Sequence, residues 1–240
     1  MVYNTLEMGG RMPRRERCYV RGHPYHIVQR GNNKEATFIQ PCDYTYYLGL
    51  WEECCKRYRI EVHAYCLMTN HIHFIATPGT ECGLSRILQV VGSRYAYYIN
   101  RTYGRSGTLW EGRHRSSLID TGSYLLSCYR YVELNPVRAG MVQRPEEYQW
   151  SSYGTNGWGG DSWITHHDEY LGLGRTKESR CQAYRSLFLS ELDESALTLI
   201  RKAAHYCQPI GSDHFCRQIE QQYGLKPGYK KRGRPRKKVD

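Results

Sequence analysis

Two histidines one residue apart, His71 and His73, stand inside the apolar run CLMTNHIHFIATP (66–78). Alternate residues of a strand share a face and lie roughly 7 Å apart along it. Both imidazoles should therefore project together, with Ile72, Phe74 and Ala76 projecting the other way. Neutral imidazole is the commonest metal ligand, so the pair begins a metal site without completing one. A second pair, Tyr131 and Asn135, lies in GSYLLSCYRYVELN (122–135). Four residues apart on a helix, they share a face one turn apart. A tyrosine hydroxyl becomes a nucleophile when a neighbour takes its proton or a metal polarises its target. Asparagine offers a neutral carbonyl oxygen that hard cations accept. Neither pair is decisive alone: His-x-His arises by chance, and a Tyr and an Asn at a helix end also serve as packing and a cap.

The elements that must position these four side chains can be read from periodicity. YHIVQRG (25–31) predicts a strand closing on Gly31, and CDYTYYLGLWEECCKRY (42–58) a helix with Asp43 as N-cap. IEVHAYCLM (60–68) and HIHFIATP (71–78) predict a hairpin turning at Thr69-Asn70. A long helix follows over 83–104, ending near Gly104, then a strand over 108–120 and a helix over 122–135 stopped by Pro136. The order β-α-β-β-α-β is ferredoxin-like. It predicts an α+β fold, a mostly antiparallel sheet with helices on one face. Beyond Trp150 a Gly/Ser/Trp-rich connector (151–163) leads to helical stretches at 178–206 and 212–223. The expected organisation is a disordered N-terminus (1–11), a catalytic domain (12–153), a helical extension (154–225) and a disordered basic tail (226–240).

Composition narrows the class of partner. The 240 residues contain no apolar run of the length, about eighteen residues, that would span a membrane, and the first thirty lack the apolar stretch of a signal peptide. The expectation is a cytoplasmic, nucleoid-associated protein with no membrane partner. Ten cysteines are scattered with no C-x-x-C, which gives neither a zinc-ribbon nor a redox signature. The formal charge is +11; residues 226–240 hold eight Lys/Arg against one Asp, a net of +7 that leaves +4 for the rest. Arg11, Arg14, Arg15, Arg17 and Arg21 form a second basic cluster. Basic ends of this kind suit a polyanion.

Taken together, YCLMTNHIHFIATP, LWEGRHRSSLID, YRYVELNPVRAGMV and YQWSSY resemble the single-tyrosine transposases of the HUH superfamily, in particular the REP-associated tyrosine transposases. The opening MPRRERCYV and GHPYHIVQRGNNKEATF is similar to that branch too, and places its usual start at Met12. The resemblance is specific over 12–153 and looser over 154–223. It implies the HUH endonuclease fold, with His71 and His73 as metal ligands, Asn135 as the third ligand and Tyr131 as the nucleophile. It further implies Mg²⁺ or Mn²⁺ as cofactor, single-stranded or hairpin DNA as substrate, and a 5′-phosphotyrosine intermediate. Related transposases often carry Gln where Asn135 stands. Insertion-sequence relatives are dimers and the associated branch tends to be monomeric, so a monomer or a homodimer is expected.

Single-stranded DNA is gripped by cations on phosphates and aromatics under bases. The resemblance assigns hairpin recognition to the region of Arg30, Asn32 and Asn33; Arg14, Arg15, Arg113, His114 and Arg115 are candidate phosphate contacts. RGRPRKK (232–238) resembles an AT-hook core, which makes Arg232 and Arg234 candidate minor-groove contacts; a general electrostatic tail is the equal alternative. Two other functions compete: a non-catalytic hairpin-binding protein on the same fold, and a zinc hydrolase, which lacks the H-E-x-x-H context. Removing residues 226–240 should weaken DNA binding and flatten its salt dependence. With roughly four to six tail contacts, the slope of log K against log salt should fall by about three to four units. An unchanged slope in a salt titration would show that the tail does not touch DNA.

Overall fold

The computed structural model describes residues 19–224. Arg14, Arg15, Arg232 and Arg234, with the N-terminal segment and basic tail, lie outside the described residues. The first part runs β1 (Tyr25–Arg30), α1 (Pro41–Tyr58), β2 (Ile60–Met68), β3 (His71–Pro78), α2 (Gly83–Thr102), β4 (Arg115–Leu118), α3 (Thr121–Glu133) and α4 (Asn135–Arg138). Five more helices follow: α5 (Tyr153–Trp158), α6 (Asp168–Leu171), α7 (Lys177–Ser186), α8 (Glu194–Tyr206) and α9 (Asp213–Tyr223). The four strands form one sheet in the order β2-β3-β1-β4, antiparallel at every pairing. The ferredoxin-like arrangement is as the sequence implies.

Strand alternation divides the core in two. Ile72, Phe74 and Ala76 face one way and pack with Trp51 and Tyr47 of α1 and Leu88, Val91 and Tyr95 of α2. The Trp51 indole stacks on Phe74 with ring centroids 4.0 Å apart. That is the expected helical layer. The opposite face is covered as well: Ala64, Cys66, Met68 and Ile75 pack against Leu125, Cys128 and Val132 of α3 and Ile200 and Ala203 of α8. His71 and His73 share the face of Ile75, beneath this second layer.

Several boundaries differ from the sequence reading, each for a local reason. Pro41 takes the first turn of α1, a position that needs no amide hydrogen, so the cap moves to Gln40. Asp43 becomes the third helical residue, and its Oδ2 accepts from the Ile39 and Gln40 amides, both at 2.8 Å. Pro136 does not stop the helical path; it sits in the first turn of α4, directly after a break at Leu134. The strand expected over 108–120 shortens to β4, because Gly107 and Gly112 adopt φ of +87° and +147°. Only a bridge from Gly31 to Trp110 survives of its first half. The stretch 178–206 divides into α7 and α8.

Gly31 matters to the site because the chain folds back tightly there. A Cβ on it would lie 2.5 Å from the Glu35 carbonyl oxygen and 2.6 Å from Thr37 Cγ2. Gly31→Ala should therefore displace the 31–35 loop and cost about 1–3 kcal/mol, the usual range for overpacking. A lower urea midpoint at unchanged slope is the expected reading; an unchanged midpoint would show that the loop yields freely.

Candidate functional site

The hairpin of β2 and β3 delivers the histidine pair. Their ring centroids lie 5.0 Å apart, at 77° to one another. Each ring has one nitrogen occupied. His71 Nδ1 bonds Asn70 Oδ1 at 2.7 Å, and His73 Nδ1 shares a bond of 2.9 Å with His26 Nε2. The Nε2 atoms are thus the ends left for a ligand. Burial, then the Arg30 charge, pushes the His71 pKa down to about 4. Burial first, then neighbouring His26, His71, Arg138 and Arg30, holds His73 well below the ordinary value. Both imidazoles are neutral near pH 7, the state that binds a metal.

Helix α3 delivers the tyrosine. Leu125, Cys128, Tyr129 and Val132 recur at helical spacing and bury against the sheet, which turns Tyr131 toward the histidines. Its ring stands edge-on to His73 at 5.9 Å and to His26 at 5.7 Å. The Arg138 guanidinium lies 4.4 Å above that ring. Its Nη2 donates to the Tyr131 carbonyl at 2.5 Å. Asn135 Nδ2 donates to the carbonyls of Tyr131 at 3.1 Å and Val132 at 3.2 Å. Its Oδ1 has no such partner among the described residues. Tyr131 and the histidine pair are therefore together within one chain, while the Asn135 hydrogen bonds run back into α3.

The histidine pair suits a divalent cation: two neutral imidazoles whose Nδ1 atoms are tied off and whose Nε2 atoms remain. Among the described residues no group of three His, Cys, Asp or Glu side chains is placed to hold a metal. A His, His, Asn set lies outside that description.

The other sequence candidates divide. Arg30 ends β1 exposed, opposite His71 in the register. Asn32 and Asn33 form a short 3₁₀ turn with Lys34, and Asn33 and Lys34 have φ of 52° and 61°. Arg113 is exposed in the loop before β4. Arg115 reaches His205 of α8, with Nη1 3.2 Å from Nδ1. His114 is buried with Nε2 2.6 Å from the Tyr19 hydroxyl, which removes it from phosphate contact. His63 bonds Thr165 O and Thr77 Oγ1, a structural histidine.

Four residues of the neighbourhood escaped the sequence reading as functional parts: His26, Asn70, Arg138 and Glu133. His26 faces the core by way of His73. The strand itself held a signal, since Tyr25 and Ile27 point to the other face. Glu133 holds α3 in place. It is fully buried, and its Oε1 accepts from Ser152 Oγ at 2.5 Å and Asn156 Nδ2 at 2.9 Å. Its Oε2 accepts from the Tyr184 hydroxyl at 2.6 Å.

Residues 19–135 match the model of the family described as transposase IS200 like. No curated protein matches the chain. A solved structure of a REP-associated tyrosine transposase bound to a REP hairpin is 17% identical, covering 66% of this chain and 93% of that one, with a TM-score of 0.52. A Deinococcus radiodurans R1 protein described as a candidate transposase aligns at 13% identity over 50% of this chain and 95% of that one, with a TM-score of 0.35. The first likeness is one of fold. Fold and sequence together define a transposase domain, an enzyme class that acts on DNA. Through residues 19–135 the chain belongs to the IS200-like transposase family.

Burial raises the Glu133 pKa to about 7, against hydrogen bonds that favour the carboxylate. The folded chain therefore holds this proton more tightly than the unfolded one, whose carboxyl titrates near the ordinary 4.5. The corresponding stability is fully present below that value and is lost as pH rises through about 7. Glu133→Gln should flatten this component of a denaturation series taken from pH 4.5 to 8. Glu133→Ala, which strips the buried Tyr184 hydroxyl of its acceptor and leaves Ser152 and Asn156 only their weaker bonds to Tyr65 O and His63 O, should cost about 3–5 kcal/mol. Identical pH slopes for wild type and Glu133→Gln would count against the raised pKa.

Proposed function

We propose that this transposase is of the REP-associated, single-tyrosine kind: it cleaves single-stranded DNA beside a hairpin and joins strands through a 5′-phosphotyrosine. The observation that carries the reading is the Tyr131 ring set edge-on to His73 within one chain, 5.9 Å between centroids. The hairpin-bound relative of like fold lends support to the substrate class.

In this reading His71, His73 and Asn135 hold Mg²⁺ or Mn²⁺. When bound, the ion supplies Lewis-acid polarisation of the scissile phosphate and offsets charge that builds there. Tyr131 Oη attacks phosphorus in line and gives its proton to solvent; the new bond is Oη–P, the broken one P–O3′, and the leaving O3′ takes up a proton to become a free 3′-hydroxyl. Arg138 lies over the attacking ring, a cation–π contact that steadies its orientation. Arg30 and the 31–34 turn grip the hairpin at the open end of the histidine pair. A second DNA 3′-hydroxyl reverses the attack and releases the tyrosine, so resealing needs no nucleotide cofactor. The bond energy is held in the adduct.

A non-catalytic hairpin-binding protein is the competing reading, and one covalent assay separates the two. Incubated with a single-stranded hairpin and Mg²⁺ or Mn²⁺, the chain should form a protein–DNA adduct that survives boiling in detergent. Mass spectrometry should map the adduct to the peptide containing YVELNPVR. Tyr131→Phe should lose it entirely while binding the hairpin within a few-fold of wild type. His71→Ala, His73→Ala and EDTA should each abolish cleavage, with the EDTA loss reversed by added ion. Tyr124→Phe and Tyr129→Phe should still cleave. An adduct on Tyr124 or Tyr129, or cleavage by Tyr131→Phe, would overturn the assignment of the nucleophile.

A further inference from the structure

The side chain of Asn70 is used at both ends. Its Oδ1 bonds His71 Nδ1 at 2.7 Å, and its Nδ2 donates to the Lys34 carbonyl at 2.9 Å. Its own carbonyl accepts the Gly31 amide at 2.8 Å. The partners belong to two working parts: a candidate metal ligand, and the loop that follows β1. An amide is planar and rigid, so it cannot turn to follow one partner without loosening the other.

The loop needs such a tether. Asn33 and Lys34 both sit in the left-handed region, at φ of 52° and 61°. Such conformations are unfavourable for non-glycine residues and persist only where surroundings over-determine them. The Asn70 bonds to Lys34 and Gly31 are part of what does so. At the other end, Oδ1 accepts the Nδ1 hydrogen of His71, which fixes the tautomer with Nε2 bare and sets the ring plane. Partners of this kind behind a ligating imidazole ordinarily change metal affinity by 10–100-fold when lost.

We infer that Asn70 is a positioning residue that couples the hairpin-holding loop to His71, so that DNA seated on the loop tightens metal binding before any phosphate reaches the ion. The inference rests on the transposase reading above. It requires that a hairpin lacking the scissile phosphate still tighten Mn²⁺ binding, and by reciprocity that Mn²⁺ tighten that hairpin by the same factor.

The test uses the full chain, Mn²⁺ followed by electron paramagnetic resonance, and a DNA hairpin truncated before the scissile phosphate. Wild type should bind Mn²⁺ at least five-fold more tightly with the hairpin than without. Asn70→Asp keeps an acceptor for His71 and loses the donor to Lys34. It should bind Mn²⁺ alone as tightly as wild type or more so, with the hairpin effect reduced to under two-fold. Asn70→Leu loses both bonds; its Mn²⁺ affinity should fall at least ten-fold, and the ¹⁵N shifts of His71 should show mixed tautomers. Rescue of Mn²⁺ affinity in Asn70→Asp but not Asn70→Leu is what a merely structural role would not give. Full coupling in Asn70→Asp, or wild-type affinity in Asn70→Leu, would overturn the inference. So would a wild-type chain that forms the Tyr131 adduct yet shows no coupling. Coupling without any adduct would support the inference and count instead against the strand-transfer chemistry.

Discussion

Burying His71 and His73 strips away the water that would stabilise an imidazolium, and much of the site follows from that. Desolvation drives both pKa values down, so each ring presents a lone pair at neutral pH. A ring with two like nitrogens must still be told which one to present. Asn70 and His26 do this by occupying the Nδ1 atoms. The His26 arrangement has a cost: its own Nδ1 is buried with no hydrogen-bond partner among the described residues. If His73 donates to His26, the orphan is an N–H, an expense of about 1–3 kcal/mol. The same burial holds the His26 pKa down to about 3. A chain that tolerates this beside a histidine pair is trading stability for the orientation of one ring.

A dry position for His73 requires a roof, and α3 is that roof. The helix has little to rest on besides the sheet face it covers and the segments that follow it. Glu133 ties it to Ser152 and Asn156 near α5 and to Tyr184 on α7. Tyr129, Tyr153, Tyr170 and Tyr184 share one core with α3. Hydrogen bonds and apolar packing therefore cross the expected boundary at 153/154. The helical extension is part of what places Tyr131 two residues before Glu133.

The legible part of the sequence was the part governed by short periods. Alternation gave the shared face of His71 and His73, the hairpin at Thr69-Asn70 and the order of strands and helices. The spacing of Tyr131 and Asn135 was visible for the same reason. What escaped depends on contacts distant in sequence. Glu133 reads as one more charged residue on a helix until Tyr184, fifty-one positions later, proves to donate to it. The second helical layer was hidden because α8 is amphipathic in isolation and nothing local says which sheet face it will cover. Pro136 misled because proline ends one helix and opens another with equal ease.

Charge explains why the arrangement suits a phosphodiester. Arg30 and Arg138 both act on His73, and no cluster of three acidic, histidine or cysteine groups stands among the described residues to bind a cation by charge. In the proposed reading, a divalent ion held by His71, His73 and Asn135 would keep its full positive charge, since all three ligands are neutral. It would join the guanidiniums of Arg30 and Arg138 beside His73. Such a centre would favour an anion whose oxygens reach the ion and an arginine together. Arg138 then has two uses that do not conflict. Stacked on Tyr131 and anchored to that residue's carbonyl, it holds the ring in place, and in the proposed reading its remaining N–H groups would meet a phosphate oxygen. On the proposed reading, such a site would favour DNA before metal is firmly held, an order that would restrain cleavage until the substrate is seated.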